Sequence, residues 1–424
     1  MDSKLVLELI TVPLFTGIIG YVTNWTGVLM LFKPLRFRGF HLPGLKIIFP
    51  ILPRRFQVVP LFRFDGAVGW QGIVPSRADK MASIAVDKGL AKLGSVRDFY
   101  AELDPDRLAQ HLASVAQSEI SDVIESIMAR EYPGIWKNLP GAVRETIHSR
   151  VRRQLPAIVQ EITDEIGENV DQLVDVKLMV IRHYEAHPEL LEQLWVRMVS
   201  KELKFMRNFG FYFGFPAGFV LVGVLHLLPF WWVLPIGGVI IGWVANYLAI
   251  EIVFAPVHPT RWVPWRQGLI IRRQEEVTEN YATMIADDVI TVENIGYELL
   301  HGARSDRTQQ MLEAAVRPAV DKAVGPMRAP LKAALGTKDY RKIQDSFAVE
   351  ATSFAPAAFG DEEFNKEQST KIYSFVATQM GKMGPDDYTD LLRAAIRQDE
   401  WLLFVHGGVL GLFAGFLHLA IFGV

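Results

Sequence analysis

The chain has 424 residues, half of them hydrophobic, with 44 Lys and Arg against 47 Asp and Glu and no cysteine. A formal charge of −3 gives no global pull toward nucleic acid, and the missing thiols exclude disulfides, thiolate metal sites and a cysteine nucleophile. A mean hydropathy of +0.18 beside 21% charged residues describes very apolar segments mixed with ordinary water-facing sequence.

The first apolar stretch runs from about Leu5 to Phe32, with Glu8 as its one charge. Roughly 20 such residues cross about 30 Å of hydrocarbon, so a first transmembrane helix is predicted within residues 1–34. Its length and weakly basic start set it apart from a cleavable signal peptide. Residues 35–70 hold short apolar runs broken by Pro50 and Pro53 and interleaved with Lys46, Arg54 and Arg55. Such runs do not span. They fit a proline-rich interfacial insertion along the inner leaflet, with a loop buried beneath the spans as the alternative.

Residues 71–208 read as helices. Asp104-Pro105 pairs an N-cap with proline at the first helical position. Leu108, Leu112, Val115, Ile120, Val123, Ile124 and Ile127 then recur at three- and four-residue intervals. Between Pro140 and Val174, Val143, Ile147, Val151, Leu155, Ile158, Ile162, Ile166 and Val170 keep a near-heptad spacing, which predicts long antiparallel packing of the coiled-coil kind. Residues 209–230 form an uncharged second span. Residues 231–256 form a third, carrying Glu251, and the short connection between the two predicts a tight hairpin. Residues 257–400 are helical again, and 401–424 close the chain as a fourth span.

Fourteen Lys and Arg flank the spans on the side of the two long polar segments, from Lys33 and Arg36 to Arg393 and Arg397, against Lys4 alone on the other. The excess of positive charge on the cytoplasmic side then puts both long segments in the cytoplasm and both termini outside.

The chain also repeats itself. Gly20-Tyr-Val-Thr-Asn24 through Phe32-Lys-Pro34 lines up with Gly242-Trp-Val-Ala-Asn246 through Phe254-Ala-Pro256, and Gln71-Gly72 with Arg77 lines up with Gln267-Gly268 with Arg273. Gly223 to Phe230 resembles Gly415 to Phe422, which matches His226 to His418. The expected fold is an all-α membrane protein, with four transmembrane helices in two parallel span, cytoplasmic-helices, span repeats and elongated antiparallel cytoplasmic segments. Such repeats are related by an axis along the membrane normal.

The motif Gly20-Tyr-Val-Thr-Asn24, Met30-Leu-Phe-Lys-Pro34, Gly69-Trp-Gln-Gly-Ile-Val-Pro75, Arg77 and Lys80-Met-Ala82 resembles the YheB/YjiN-like family of bacterial membrane proteins of unknown function. The resemblance covers the whole chain. It departs at Ser76, where the family carries a second basic residue beside Arg77, whereas Arg272-Arg273 keep the pair. It implies a multi-pass protein of the bacterial cytoplasmic (inner) membrane and no particular activity.

Candidate residues fall into three sets. Trp70, Gln71 and Arg77, with Trp265, Gln267, Arg272 and Arg273, combine tryptophan, a Gln-Gly turn and arginine beyond the span ends, which suits lipid headgroups. A structural elbow, its arginines paired with buried acids such as Glu102 or Glu298, is the alternative. Asn24, Asn246 and Glu251 are the intramembrane polar groups. The asparagines suit hydrogen bonds across helices or a polar substrate site, and Glu251 suits pairing with an interfacial arginine or a coupling role. His226 and His418 are weak metal candidates beside an interfacial anchoring role. No catalytic motif, phosphate loop or dinucleotide fingerprint occurs, so no cofactor and no enzyme activity are expected. The expected function is lipid or amphiphile handling at the inner leaflet by cytoplasmic helices. A membrane-anchored scaffold, assembling with its own copies or an envelope protein partner, and an oligomeric small-solute transporter or channel are the alternatives.

Overall fold

The computed structural model describes residues 3–51, 59–350, 359–394 and 396–422. The longer helices are α1 (Ser3–Phe32), α2 (Pro105–Glu131), α3 (Gly141–Leu173), α4 (Pro188–Leu227), α5 (Val233–Phe254), α6 (Gln274–Met284), α7 (Ser305–Val324), α8 (Thr337–Glu350), α9 (Pro385–Ala394) and α10 (Glu400–Phe422). Among the described residues, sheet is confined to an antiparallel ribbon, β1 (Arg38–His41) with β2 (Ala67–Trp70), in which Arg38 faces Trp70.

Among the described residues, four helical stretches are long and apolar enough to cross a membrane: Leu5–Phe32, Glu192–Leu227, Val233–Phe254 and Glu400–Phe422. They leave Leu7, Ile10, Val220, Leu227, Ile240 and Phe413 exposed. An apolar surface of that extent suits lipid as its solvent. The second of these helices is longer than residues 209–230. α4 continues from Pro188 through a kink at Val199, because no glycine or proline stop separates its polar first half from its apolar second half.

The chain divides into two compact units. One holds the four apolar helices and comprises the residues up to Gly89, Ile181–Tyr281 and Met380 onward; the other comprises Leu90–Val180 and Ala282–Gln379. The second unit therefore draws its helices from both long polar segments.

Within the first unit α1 packs along α4, and α5 along α10. Both seams are made by glycine. Gly20 meets Gly210, Gly214 meets Thr16, and Gly218 meets Pro13, while Gly242 meets Gly407, Gly238 meets Gly411, and Gly415 meets Pro235. A methyl group at these positions would run into the facing backbone, so only glycine permits the approach. These contacts place Gly210, Gly214 and Gly218 in the roles of Gly407, Gly411 and Gly415. The shared string Gly-x3-Gly-x2-Ala-Gly-Phe carries the match, which is five residues away from the alignment of Gly223 with Gly415. Replacing Gly407 with Ala is expected to cost about 1–3 kcal/mol in denaturant unfolding. Gly408→Ala is expected to be near neutral, since its nearest neighbour would lie 3.6 Å away.

In the second unit α2 and α3 run antiparallel: Gln117 Nε2 donates to the Arg152 carbonyl at 3.1 Å, and Gln160 Nε2 to Asp106 Oδ1 at 2.9 Å. Asp104 accepts from the Arg107 amide and starts α2 ahead of Pro105, as its sequence predicts. Ala116, Ile120, Ile124, Trp136 and Leu155 form a buried cluster at one face of the pair, with α7 against α3 and α8 against α7.

Candidate functional site

The elbows beyond α1 and α5 are built alike. Gln71 Nε2 donates to the Leu35 carbonyl and Gln267 Nε2 to the Val257 carbonyl, both at 2.8 Å. The Gly72 and Gly268 amides donate to the Pro34 and Pro256 carbonyls, both at 2.9 Å. Each glutamine thus serves as a brace for its turn. Trp265 Nε1 donates to the Ala255 carbonyl at 2.8 Å, and Trp70 is half-buried.

Arg77 and Arg273 are bound to buried acids, the arrangement of the structural-elbow alternative. Arg77 lies 2.7 Å from Asp399, whose side chain is 4% exposed, and Arg273 lies 2.7 Å from Glu202, whose side chain is 3% exposed. Two nitrogen-oxygen contacts of 2.7 Å join Arg273 to Glu202, and Glu276 takes the rest of the guanidinium at 2.7 and 2.9 Å. An arginine bound in this way has its donors directed inward, away from phosphate. Of the three elbow arginines, Arg272 is the exposed one. The acids are not the sequence candidates: Glu102 is exposed, and Glu298 accepts from the Ala303 amide.

Glu202 stands eight residues before Gly210 and Asp399 eight before Gly407. The two pairs are therefore exchanged. The arginine following α1 binds the acid leading into α10, and the arginine following α5 binds the acid that precedes the glycine seam of α4. Arg273 and Lys201 hold the Glu276 carboxyl down at about 2, so it stays ionised through the neutral range. Burial pushes the Asp399 carboxyl up, only partly offset by Arg77 and Lys80, and Lys80 Nζ donates in turn to Gln398 Oε1.

The intramembrane polar groups serve helix contacts. Asn24 Nδ2 donates to the Met206 carbonyl and Asn246 Nδ2 to the Leu403 carbonyl, both at 2.6 Å, beside the glycine seams. Glu251 pairs with Arg393 at 2.6 Å, and Arg393 also holds Glu400 at 2.9 Å. His226 and His418 do not share an environment. His226 is exposed, 3.8 Å from Glu8, while His418 is buried edge-on to Phe15 with ring centroids 5.0 Å apart. Among the described residues no three His, Asp or Glu side chains cluster as a metal site would require.

Sequence reasoning missed an apolar pocket in the second unit. The second unit holds a partly open cavity of about 450 Å3 between α2, α3, α7 and α8, inside the roughly 300–1,000 Å3 range of ligand sites. Lining positions run from Leu112 to Met128 on α2 and from Val143 to Ile166 on α3, or about 24 and 35 Å at 1.5 Å per residue. Among the described residues its wall has no charged side chain, and its polar members are Trp136, Thr163, Thr308 and Tyr340. The isoleucines and valines read as coiled-coil packing are largely the wall of this space. Periodicity reports which helix face is apolar, not whether protein fills the volume before it.

Comparison with protein-family models, with curated proteins and with solved structures finds no match to the chain.

Proposed function

We propose that the protein is a non-enzymatic, multi-pass protein of the bacterial inner membrane that holds the hydrocarbon chain of a membrane lipid in its helical unit. The single observation carrying this reading is the apolar cavity between α2, α3, α7 and α8. A wall of this length with no charged side chain among the described residues offers an ion no counter-charge and a polar solute few partners, and it hydrates poorly. One leaflet supplies about 15 Å of hydrocarbon, half of the bilayer core, so the cavity is long enough for a full acyl chain. The resemblance to the YheB/YjiN-like family belongs to the same proposal. So does a twofold relation of the two glycine-seamed helix pairs about the membrane normal, which the exchanged arginine pairs support.

The positive flanks support a cytoplasmic position for the helical unit and external termini. Because the chain lacks cysteine, single cysteines report topology cleanly. One at Ser3 or Pro229 is expected to label with an impermeant thiol reagent on intact cells, and one at Ser121 only after lysis. The reverse pattern would exclude this orientation.

In the insertion after α1, Phe40, Ile47, Ile51 and Phe64 are exposed among Arg38, Lys46 and Arg63. That mixture suits the inner-leaflet interface. Arg54 and Arg55 lie outside the described residues. Beyond α5, Trp262 is 94% exposed on a segment that also carries the exposed Arg261, Arg266 and Arg272, which suits the headgroup role that Arg77 and Arg273 do not fill.

Purification in mild detergent followed by quantitative lipid mass spectrometry tests the reading. About one lipid per chain, surviving washes that strip bulk lipid, is expected. Absence of a retained lipid would contradict it.

A further inference from the structure

The cavity has a mouth, and its rim is charged. Among the described residues every wall position is buried or half-buried except Ile135, which is 37% exposed, and Pro140. Both belong to the connection from α2 to α3, which carries the short helix Pro133–Asn138. Opposite them runs the chain from Val324 to Lys342. Arg150 Nη1 donates to the Val324 carbonyl at 3.4 Å, and Lys342 lies 2.6 Å from Glu131 at the end of α2, so this chain covers the same end. It adds Leu331, Leu335 and Tyr340 to the wall, the first two from the helix Arg328–Leu335. Residues 133–145 and 324–342 together hold seven Lys and Arg against Glu145 and Asp339. Arg328 is bound to Asp321 and Lys342 to Glu131. Glu125, which also reaches this end, accepts from Trp136 Nε1 at 2.6 Å and lies 3.3 Å from His148. Lys137 and Lys332 are exposed and have no ion pair among the described residues. Each directly follows a wall residue, Trp136 and Leu331.

We propose that Lys137 and Lys332 receive the phosphate of an anionic phospholipid whose acyl chain occupies the cavity. This rests on the reading of the cavity as a hydrocarbon-chain site, and it names the charge of the head and the end that holds it. An apolar interior behind a basic rim orients an amphiphile, with its chain inward and its anion at the mouth. A zwitterionic lipid fits the interior equally well but brings its amine into an excess of positive charge, and a neutral lipid leaves both lysines unused. Because the two ammonium groups are exposed, each contributes modestly. Their effect is selectivity among lipids, while the apolar wall supplies the bulk of the affinity.

The test uses the full-length chain in a neutral detergent and three probes with the same acyl chain: 1-oleoyl-lysophosphatidylglycerol, 1-oleoyl-lysophosphatidylcholine and oleic acid. Each is kept below its micelle concentration and read by displacement of a fluorescent alkyl probe. The native chain is expected to prefer the anionic phospholipid over the zwitterionic one by about three- to thirtyfold, the worth of two exposed charge pairs, and the preference should shrink as salt is raised. Lys137→Gln with Lys332→Gln should remove the preference while affinity for the zwitterionic probe stays within about twofold. Lys137→Arg with Lys332→Arg should retain it, since the charge is kept. An unchanged preference in the double Gln variant, or none in the native chain, would overturn the assignment and leave the cavity reading standing. Tightest binding of oleic acid would overturn the phospholipid class in the same way. An equal loss of all three affinities in the double Gln variant would make the lysines structural and contradict the proposal. Failure of the native chain to bind any of the three would overturn both readings.

Discussion

Replacing Arg273 with Gln will destabilise the folded chain by about 3–5 kcal/mol, because it strands the Glu202 carboxylate in an environment that excludes water. Glu202 is 3% exposed and takes two 2.7 Å contacts from Arg273, so no solvent shell replaces the lost partner. Arg77→Gln will have a loss of similar size through Asp399. The decisive comparison is the double variant: Arg273→Gln with Glu202→Gln removes both charges and is expected to recover most of the stability, since breaking a buried pair costs far more than deleting it. Denaturant unfolding of the native chain, Arg273→Gln, Glu202→Gln and the double variant in one detergent gives the coupling energy. A small loss in Arg273→Gln, with reduced binding to anionic vesicles, would instead return the arginine to a headgroup role.

Filling the cavity is expected to have an effect of comparable size on the lipid. Ala116 and Ala319 both line it from facing helices, and changing both to Phe places two rings in the space that the chain would occupy. The variant should lose the retained lipid while its far-ultraviolet helix signal stays intact. It should also lose the lipid dependence of its unfolding. A ligand present at a hundred times its dissociation constant stabilises the native protein by about 2.7 kcal/mol, so the native chain should gain stability on lipid addition and the filled variant should not. Unchanged retention in the filled variant would place the lipid elsewhere, on the annulus around the spans.

The four membrane-length apolar helices and the mainly helical frame were legible because membrane crossing imposes a length and a polarity that few other requirements mimic. Asn24 and Asn246 were legible as a matched pair because both keep the same place in the Gly-x3-Asn string. Partners were less legible. That Arg77 binds Asp399 and Arg273 binds Glu202 depends on which helices meet, and neither acid is near its arginine in sequence. One signal was present and unread: counting back eight residues from Gly210 and Gly407 reaches an acid both times. The histidine match failed for a related reason. Aligning His226 with His418 gave weight to a rare residue type, whereas the glycines that touch backbone match Gly210, Gly214 and Gly218 with Gly407, Gly411 and Gly415. The cavity was invisible for a deeper reason, since an apolar stripe such as Ile147, Val151, Ile158 and Ile162 looks the same whether another helix or a guest covers it.

The most direct test of the central claim is an experimental density map of the full-length protein extracted with its native lipids. Elongated density between α2 and α3 is the predicted result. A cavity closed by side chains, or filled only by water-sized features in a map that resolves lipid around the spans, would contradict it.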